Sequence, residues 1–425
     1  MYPSAQVVPG EDAGRHGPDE TGPQPRPYGD LARIIAMTGD DLDYAYSKGL
    51  MTLYARPEAG RSVRIGNGQT VVDFARGSYL GLDHHPAIVE GAIRALQEYR
   101  SVQWSGARTR LNFAMMEDLE ARLTDLLRAR ALVFSLVLTA NMGVMPLIAS
   151  GAFTGGRKPL VVFDKFAHAT LAYHKPVVAD HAPVLTIAHN DVDELEQLCK
   201  KGGPVVYVAD GVYSMGGSAP IPALRALQEK YGLFLYIDDA HGISIHGSRG
   251  EGYARSSFGD TLGDRTIIAA SLSKGFGTNG GVLMLGTDLQ EKLIRRYGVP
   301  HTFSMGPDVP SIGAAIASAK IHCSPELGVR QIRLRAVIEE FDRHIETAQA
   351  GLYLPIRMVT IGNEAAAVDC ADWILRRGHY VVPAIFPGVP RSRAALRICL
   401  TADHDLSEVR ALCADIATWM SENPG

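Results

Sequence analysis

The 425-residue chain predicts an α/β fold: a mostly parallel sheet with helices on both faces, followed by a smaller C-terminal α+β domain. Three observations predict it. From about residue 86, apolar strand-like runs alternate with amphipathic helical segments. Three of those runs end in an acid, at Asp164, Asp210 and Asp238, and polar groups at the carboxyl ends of parallel strands are where such sheets bind ligands. After about residue 311 the alternation gives way to long helices and a few short strands.

Residues 1–30 hold six Pro and five Gly and lack the apolar core of a secretory signal, so they read as a flexible leader. Residues 31–75 read as a helical arm and a small strand pair, 63–65 and 71–74, joined through Gly66-Asn67-Gly68. Residues 76–310 form the large domain. Its helices are expected at 86–99, 115–128, 191–200 and 224–231, and its strands at 160–164, 205–210, 233–238, 266–270 and 281–285. The stretch 131–156 carries no charged residue and is long enough to span a membrane. Asn141, Gly143, Pro146 and several Ser and Thr make it a buried helix of this domain instead. Residues 311–425 form the small domain, with helices at 311–323, 329–347 and 406–422 and strands at 356–360, 380–385 and 395–400.

The charge balance, −4 net, excludes the electrostatic footprint of nucleic acid or of an acidic membrane face. Five cysteines are scattered without C-x-x-C or metal-ligand spacing, as expected of reduced thiols in a cytoplasmic enzyme. Cys399, in an apolar Leu-Arg-Ile-Cys-Leu run, reads as a packing residue.

Chemistry concentrates in two short segments. Ser271-Leu272-Ser273-Lys274-Gly275-Phe276-Gly277 follows one apolar strand, and Asp238-Asp239-Ala240-His241 follows another. A lone lysine near a strand end is ordinarily a solvated charge. Here Ser271 and Ser273 can bind phosphate, and Gly275 and Gly277 let the backbone approach closely. A lysine and an aspartate at neighbouring strand ends are what pyridoxal 5′-phosphate needs: the amine carries the cofactor as a Schiff base, and the carboxylate keeps the pyridine nitrogen protonated. Residues 275–280 match G-x-G-x-x-G, but a strand follows them where a dinucleotide fingerprint must open a helix. Asp238 and His241 could also make a metal pair, yet no third ligand has suitable spacing, so no metal is expected. His241 suits the phenolic oxygen of the ring. His168, four residues past a strand end, suits its face, although a loop histidine is the default for such a residue. Phosphate calls for amide donors at a helix start, and Ser135-Leu136-Val137-Leu138-Thr139-Ala140-Asn141 is the best such turn.

Taken together with Tyr79-Leu80-Gly81-Leu82 before His85-Pro86, Asp210-Gly211-Val212-Tyr213-Ser214-Met215, Phe303-Ser304 and Leu396-Arg397-Ile398 before Thr401-Ala402-Asp403-His404, these segments resemble the α-oxoamine synthase family of fold-type I pyridoxal-phosphate enzymes. The resemblance runs from about Tyr54 to the C-terminus and rests on the order and spacing of the segments. It implies a seven-stranded sheet and a homodimer with shared active sites. Lys274 would form the Schiff base, Asp238 would pair with the ring nitrogen, His241 with the ring oxygen, and His168 would stack on the ring. Asp210 would orient His241 or the cofactor, and Ser271, Val137 and Leu138 would serve its phosphate. Ser304 would reach the partner subunit's phosphate. Arg397, with Ser78 and Tyr79, would hold the amino acid.

The departures from the family pattern fall mainly on the second substrate. Leu136-Val137-Leu138 stands where the family has Ser-Gly-aromatic, Met116 replaces a histidine, Gly77 replaces an asparagine, and Trp104-Ser105-Gly106-Ala107-Arg108 replaces a Gly-Gly-Ser-Arg loop. The expected reaction is condensation of an amino-acid-derived carbanion with an acyl-CoA thioester, in specialised metabolism. The alternative is elimination from an amino acid with a γ leaving group, such as S-adenosylmethionine, followed by carbon–carbon bond formation with another acceptor. A non-catalytic binding protein that keeps the fold, and a plain aminotransferase, are lesser alternatives.

Overall fold

The computed structural model describes residues 31–104 and 106–423; the leader and Ser105 lie outside the described residues. The centre is a seven-stranded sheet in the order Arg130–Phe134, Gly281–Leu285, Thr266–Ser271, Phe234–Asp238, Val205–Asp210, Leu160–Asp164, Val184–Ile187. Gly281–Leu285 runs antiparallel to both its neighbours, and the pairs from Thr266–Ser271 outward to Val184–Ile187 are parallel. Strands such as Thr266–Ser271 and Val205–Asp210 are buried along their whole length, which explains their continuous apolar runs. One core lies on each face of this sheet.

The stretch 131–156 is not one helix. Its first residues form the edge strand Arg130–Phe134, and the helix Val137–Ala149 follows after a two-residue turn. An apolar run buried on both sides has the same composition in either state, so periodicity does not separate them. The expected strand 380–385 also divides. His379–Tyr380 pairs with Thr70–Asp73, completing a four-stranded sheet with Ala55–Pro57 and Ser62–Ile65. Val382–Ala384 pairs instead with Ala394–Cys399, in a three-stranded sheet with Ile356–Gly362. The N-terminal strands therefore share a core with the C-terminal residues.

Helix Val309–His322 joins the two regions. Ile312, Ala315 and Ala319 face the core under the large sheet, while Ala314, Ala317 and Ile321 face the other core. It crosses helix Pro86–Tyr99 backbone to backbone: a Cβ on Gly313 would lie 2.4 Å from the Gly91 carbonyl oxygen. Among the described residues no helix is long and apolar enough to cross a membrane.

Candidate active site

The parallel strands deliver Asp210 and Asp238 side by side, in register with each other. The Asp238 carboxylate is buried. Its Oδ1 accepts from the Ala240 amide at 3.1 Å, and its Oδ2 accepts from Asn141 Nδ2 at 3.2 Å. Asn141, fully buried on helix Val137–Ala149, accepts in turn from the Tyr236 hydroxyl at 2.6 Å. Among the described residues these are the bonds to its side chain, which leaves acceptor capacity for a ring N–H.

Lys274 sits in the loop after Thr266–Ser271. The loop can pass close to Leu82 because residue 277 is glycine in the left-handed region, φ 77°; a Cβ there would lie 2.3 Å from Leu82 Cβ. Lys274 Nζ is 2.8 Å from His241 Nε2, and His241 Nδ1 is 2.6 Å from the Tyr79 hydroxyl. Burial lowers the lysine amine to about 8, helped by the Arg397 cation and opposed by Asp238 and Asp210. Burial likewise holds His241 far below its ordinary range, with Lys274, Arg397 and His168 acting in the same direction. His241 is therefore a neutral imidazole near pH 7. His168 caps the short helix Ala169–Ala172: its Nδ1 pairs with the Thr170 hydroxyl at 2.9 Å and its amide donates to Asp210 Oδ1 at 3.0 Å. Its basicity is lowered by burial, and by Lys274 and Arg397. Asp210 is driven well above the usual carboxylate range by burial and by Asp238.

Arg397 reaches the same site from the small domain, on strand Ala394–Cys399. Its Nε donates to the Ser214 carbonyl at 2.8 Å and its Nη1 to Cys399 Sγ at 3.1 Å. Cys399 thus supports the arginine as well as packing. Ser271 accepts from the Ser273 amide at 3.2 Å. Helix Val137–Ala149 begins with free amides at Val137 and Leu138, since the first amides of a helix have no acceptor within it. Ser304 lies at the end of helix Val299–Phe303, between exposed Phe303 and Met305. Ser78 does not face this group: its hydroxyl donates to Asp83 Oδ1 at 2.7 Å. Tyr79 meets His241 directly. Asn141, read from sequence only as the last residue of the candidate phosphate turn, instead supports Asp238; its signal was an amide inside an otherwise apolar stretch.

Residues 69–416 match the aminotransferase class I and II family. The chain belongs to that family. An 8-amino-7-oxononanoate synthase from Chromobacterium violaceum is 34% identical over 357 residues, covering 81% of this chain and 88% of that protein. A serine palmitoyltransferase from Bacteriovorax stolpii is 28% identical, covering 82% and 83%. A lysine-to-alanine variant of serine palmitoyltransferase from S. paucimobilis, solved with a PLP–myriocin aldimine, is 19% identical and shares the fold with a TM-score of 0.81 over 93% of this chain and 99% of its own.

Proposed function

We propose that this chain is a pyridoxal-phosphate-dependent α-oxoamine synthase that forms a carbon–carbon bond between an amino acid and an acyl-CoA thioester. The observation that carries the reading is the convergence of a buried amine, Lys274, with the Asp238 carboxylate and the neutral His241 at adjacent strand ends. The residues fit the cofactor. Asp238 has acceptor capacity left for a pyridinium N–H, the Val137 and Leu138 amides with Ser271 suit a phosphate, and His168 suits the ring face. When bound, pyridoxal phosphate supplies an electron sink for negative charge at the amino-acid α carbon.

The chain supplies the rest. Arg397, held by Ser214 and Cys399, binds the amino-acid carboxylate with its remaining N–H groups. Lys274, with its amine near 8, is poised to take the α proton at neutral pH without a large driving-force penalty. His241 would serve the cofactor's ring oxygen as a donor from Nε2, and Asp210 holds His168 in place by accepting from its amide. Ser304, flanked by exposed Phe303 and Met305, would reach a second subunit's phosphate across a homodimer face. Phe303→Glu is expected to give a monomer by light scattering.

A second reading, elimination from a γ-leaving-group amino acid, draws support from Met116, a buried thioether beside Gly306 where a polar group would assist an acyl thioester. Incubation with a panel of amino acids and acyl-CoA thioesters, following free thiol, separates the two. Thiol release that requires both substrates is expected. Turnover of the amino acid with no thiol released would overturn the acyl-transfer reading.

A further inference from the structure

We propose that Tyr79 is a positioning residue that fixes His241 in a single tautomer, with the proton on Nε2, through a one-way chain of donors running from Arg397 to Tyr79 to His241 to Lys274. The chain is a feature of the folded protein itself; its consequence for the cofactor rests on the function proposed above.

The direction of each link follows from what each group can do. Tyr79 is fully buried and keeps its proton, because burial raises its pKa far above the ordinary phenol value. The Arg397 guanidinium lies against the Tyr79 oxygen, and a guanidinium only donates, so that oxygen is the acceptor there. The hydroxyl proton must then go elsewhere. Among the described residues its partner is His241 Nδ1, at 2.6 Å. A nitrogen that accepts a hydrogen bond carries no proton, and a neutral imidazole has one proton to place, so it resides on Nε2. Nε2 is 2.8 Å from Lys274 Nζ; above pH 8, where the amine is mostly uncharged and has a lone pair to offer, Nε2 presents its N–H to it. The groups that face His241 are Tyr79, Lys274, Arg397 and His168. None of them offers Nδ1 an acceptor that competes with the phenol.

Two consequences follow. Above pH 8 the unloaded protein presents a donor, not an acceptor, at the place where the cofactor's phenolic oxygen would lie, so no tautomer change is needed on binding there. The same phenol also touches the arginine proposed to take the amino-acid carboxylate, so substrate docking and the polarity at Nε2 share one hydroxyl. Tyr79 sits 162 residues from His241 in the chain, and the motif around it gives no hint of this contact.

The test uses 15N-histidine NMR of the full unloaded protein, with the His241 signal assigned by its loss in His241→Gln. Above pH 8, wild type is expected to show the Nε2–H tautomer, and Tyr79→Phe a mixture of both tautomers. In the protein loaded with pyridoxal phosphate, Tyr79→Phe is expected to raise the pH at which the lysine–cofactor linkage titrates by about one unit, because a donor to the ring oxygen is lost. An Nδ1–H wild type overturns the proposal, whether or not the variant folds. So does a Tyr79→Phe protein that keeps the pure Nε2–H form. Failure to bind pyridoxal phosphate at all would count against the proposed function and leave the NMR result to decide this inference separately.

Discussion

Asp164 and Asp238 end two strands of the same sheet, separated by one strand, and they do opposite things. Asp164 is saturated: its oxygens accept from the Phe166 amide at 2.7 Å, the Asn190 amide and the Tyr207 hydroxyl at 2.8 Å, and His189 at 3.0 Å. Burial works against its charge, but those donors outweigh burial and hold it below the usual carboxylate range. Among the described residues the Asp238 carboxylate accepts two hydrogen bonds, from one amide and one carboxamide. Position at a strand end is thus insufficient for chemistry. The acid with unspent acceptor capacity is the one that can hold a ligand, and the saturated acid holds the loops around it.

Four expectations test that contrast. The largest effect is expected for Lys274→Ala, which removes the amine on which both strand ends converge: the loaded protein's colour and about 10³-fold or more of its turnover should vanish, read by absorbance and thiol release. Asp238→Asn keeps an acceptor for Asn141 but loses the charge, and is expected to cost roughly 10²–10⁴-fold in kcat with little change in thermal midpoint. The unloaded protein should show the electrostatic cost of burying Lys274. Its amine is about 8 when folded against an ordinary 10.5, so the folded state binds fewer protons between those values. Relative to Lys274→Met, unfolding free energy should rise by about 3 kcal/mol as pH climbs from 8 to 10.5, and stay flat below 8. Urea titration of both proteins across that range reads it. Smallest is Asp164→Asn, which leaves donors unmatched and should lower stability by about 1–3 kcal/mol while leaving kcat within a factor of a few. A large kcat loss in Asp164→Asn would erase the distinction between the two strand ends.

Much of the site was legible because its members lie in short segments at strand ends, where an apolar run announces the strand and the next polar residue announces the site. Lys274, Asp238, His241 and Asp210 are all of this kind. What escaped are contacts made at long range. Asn141 lies 97 residues from Asp238, and Tyr79 meets His241 only after the N-terminal segment has folded over the sheet. Ser78 looked equivalent to Tyr79 in sequence, yet the chain turns here, with the Gly81 amide donating to the Ser78 carbonyl, and the Ser78 hydroxyl goes to Asp83. The edge strand Arg130–Phe134 was hidden because burial on both faces removes the alternation that marks a strand. The division of residues 379–384 between two sheets left no mark in composition at all.

Helix Val309–His322, buried on nearly every side and crossing its neighbour glycine against glycine, has a consequence for how the molecule comes apart. A rod whose opposite flanks are embedded in separate apolar masses leaves no seam along which the polypeptide can be divided. Severing the gene at residue 311 would strip a wall from each mass at once, so neither fragment should survive alone. Denaturation of the intact chain should accordingly pass through a single cooperative step.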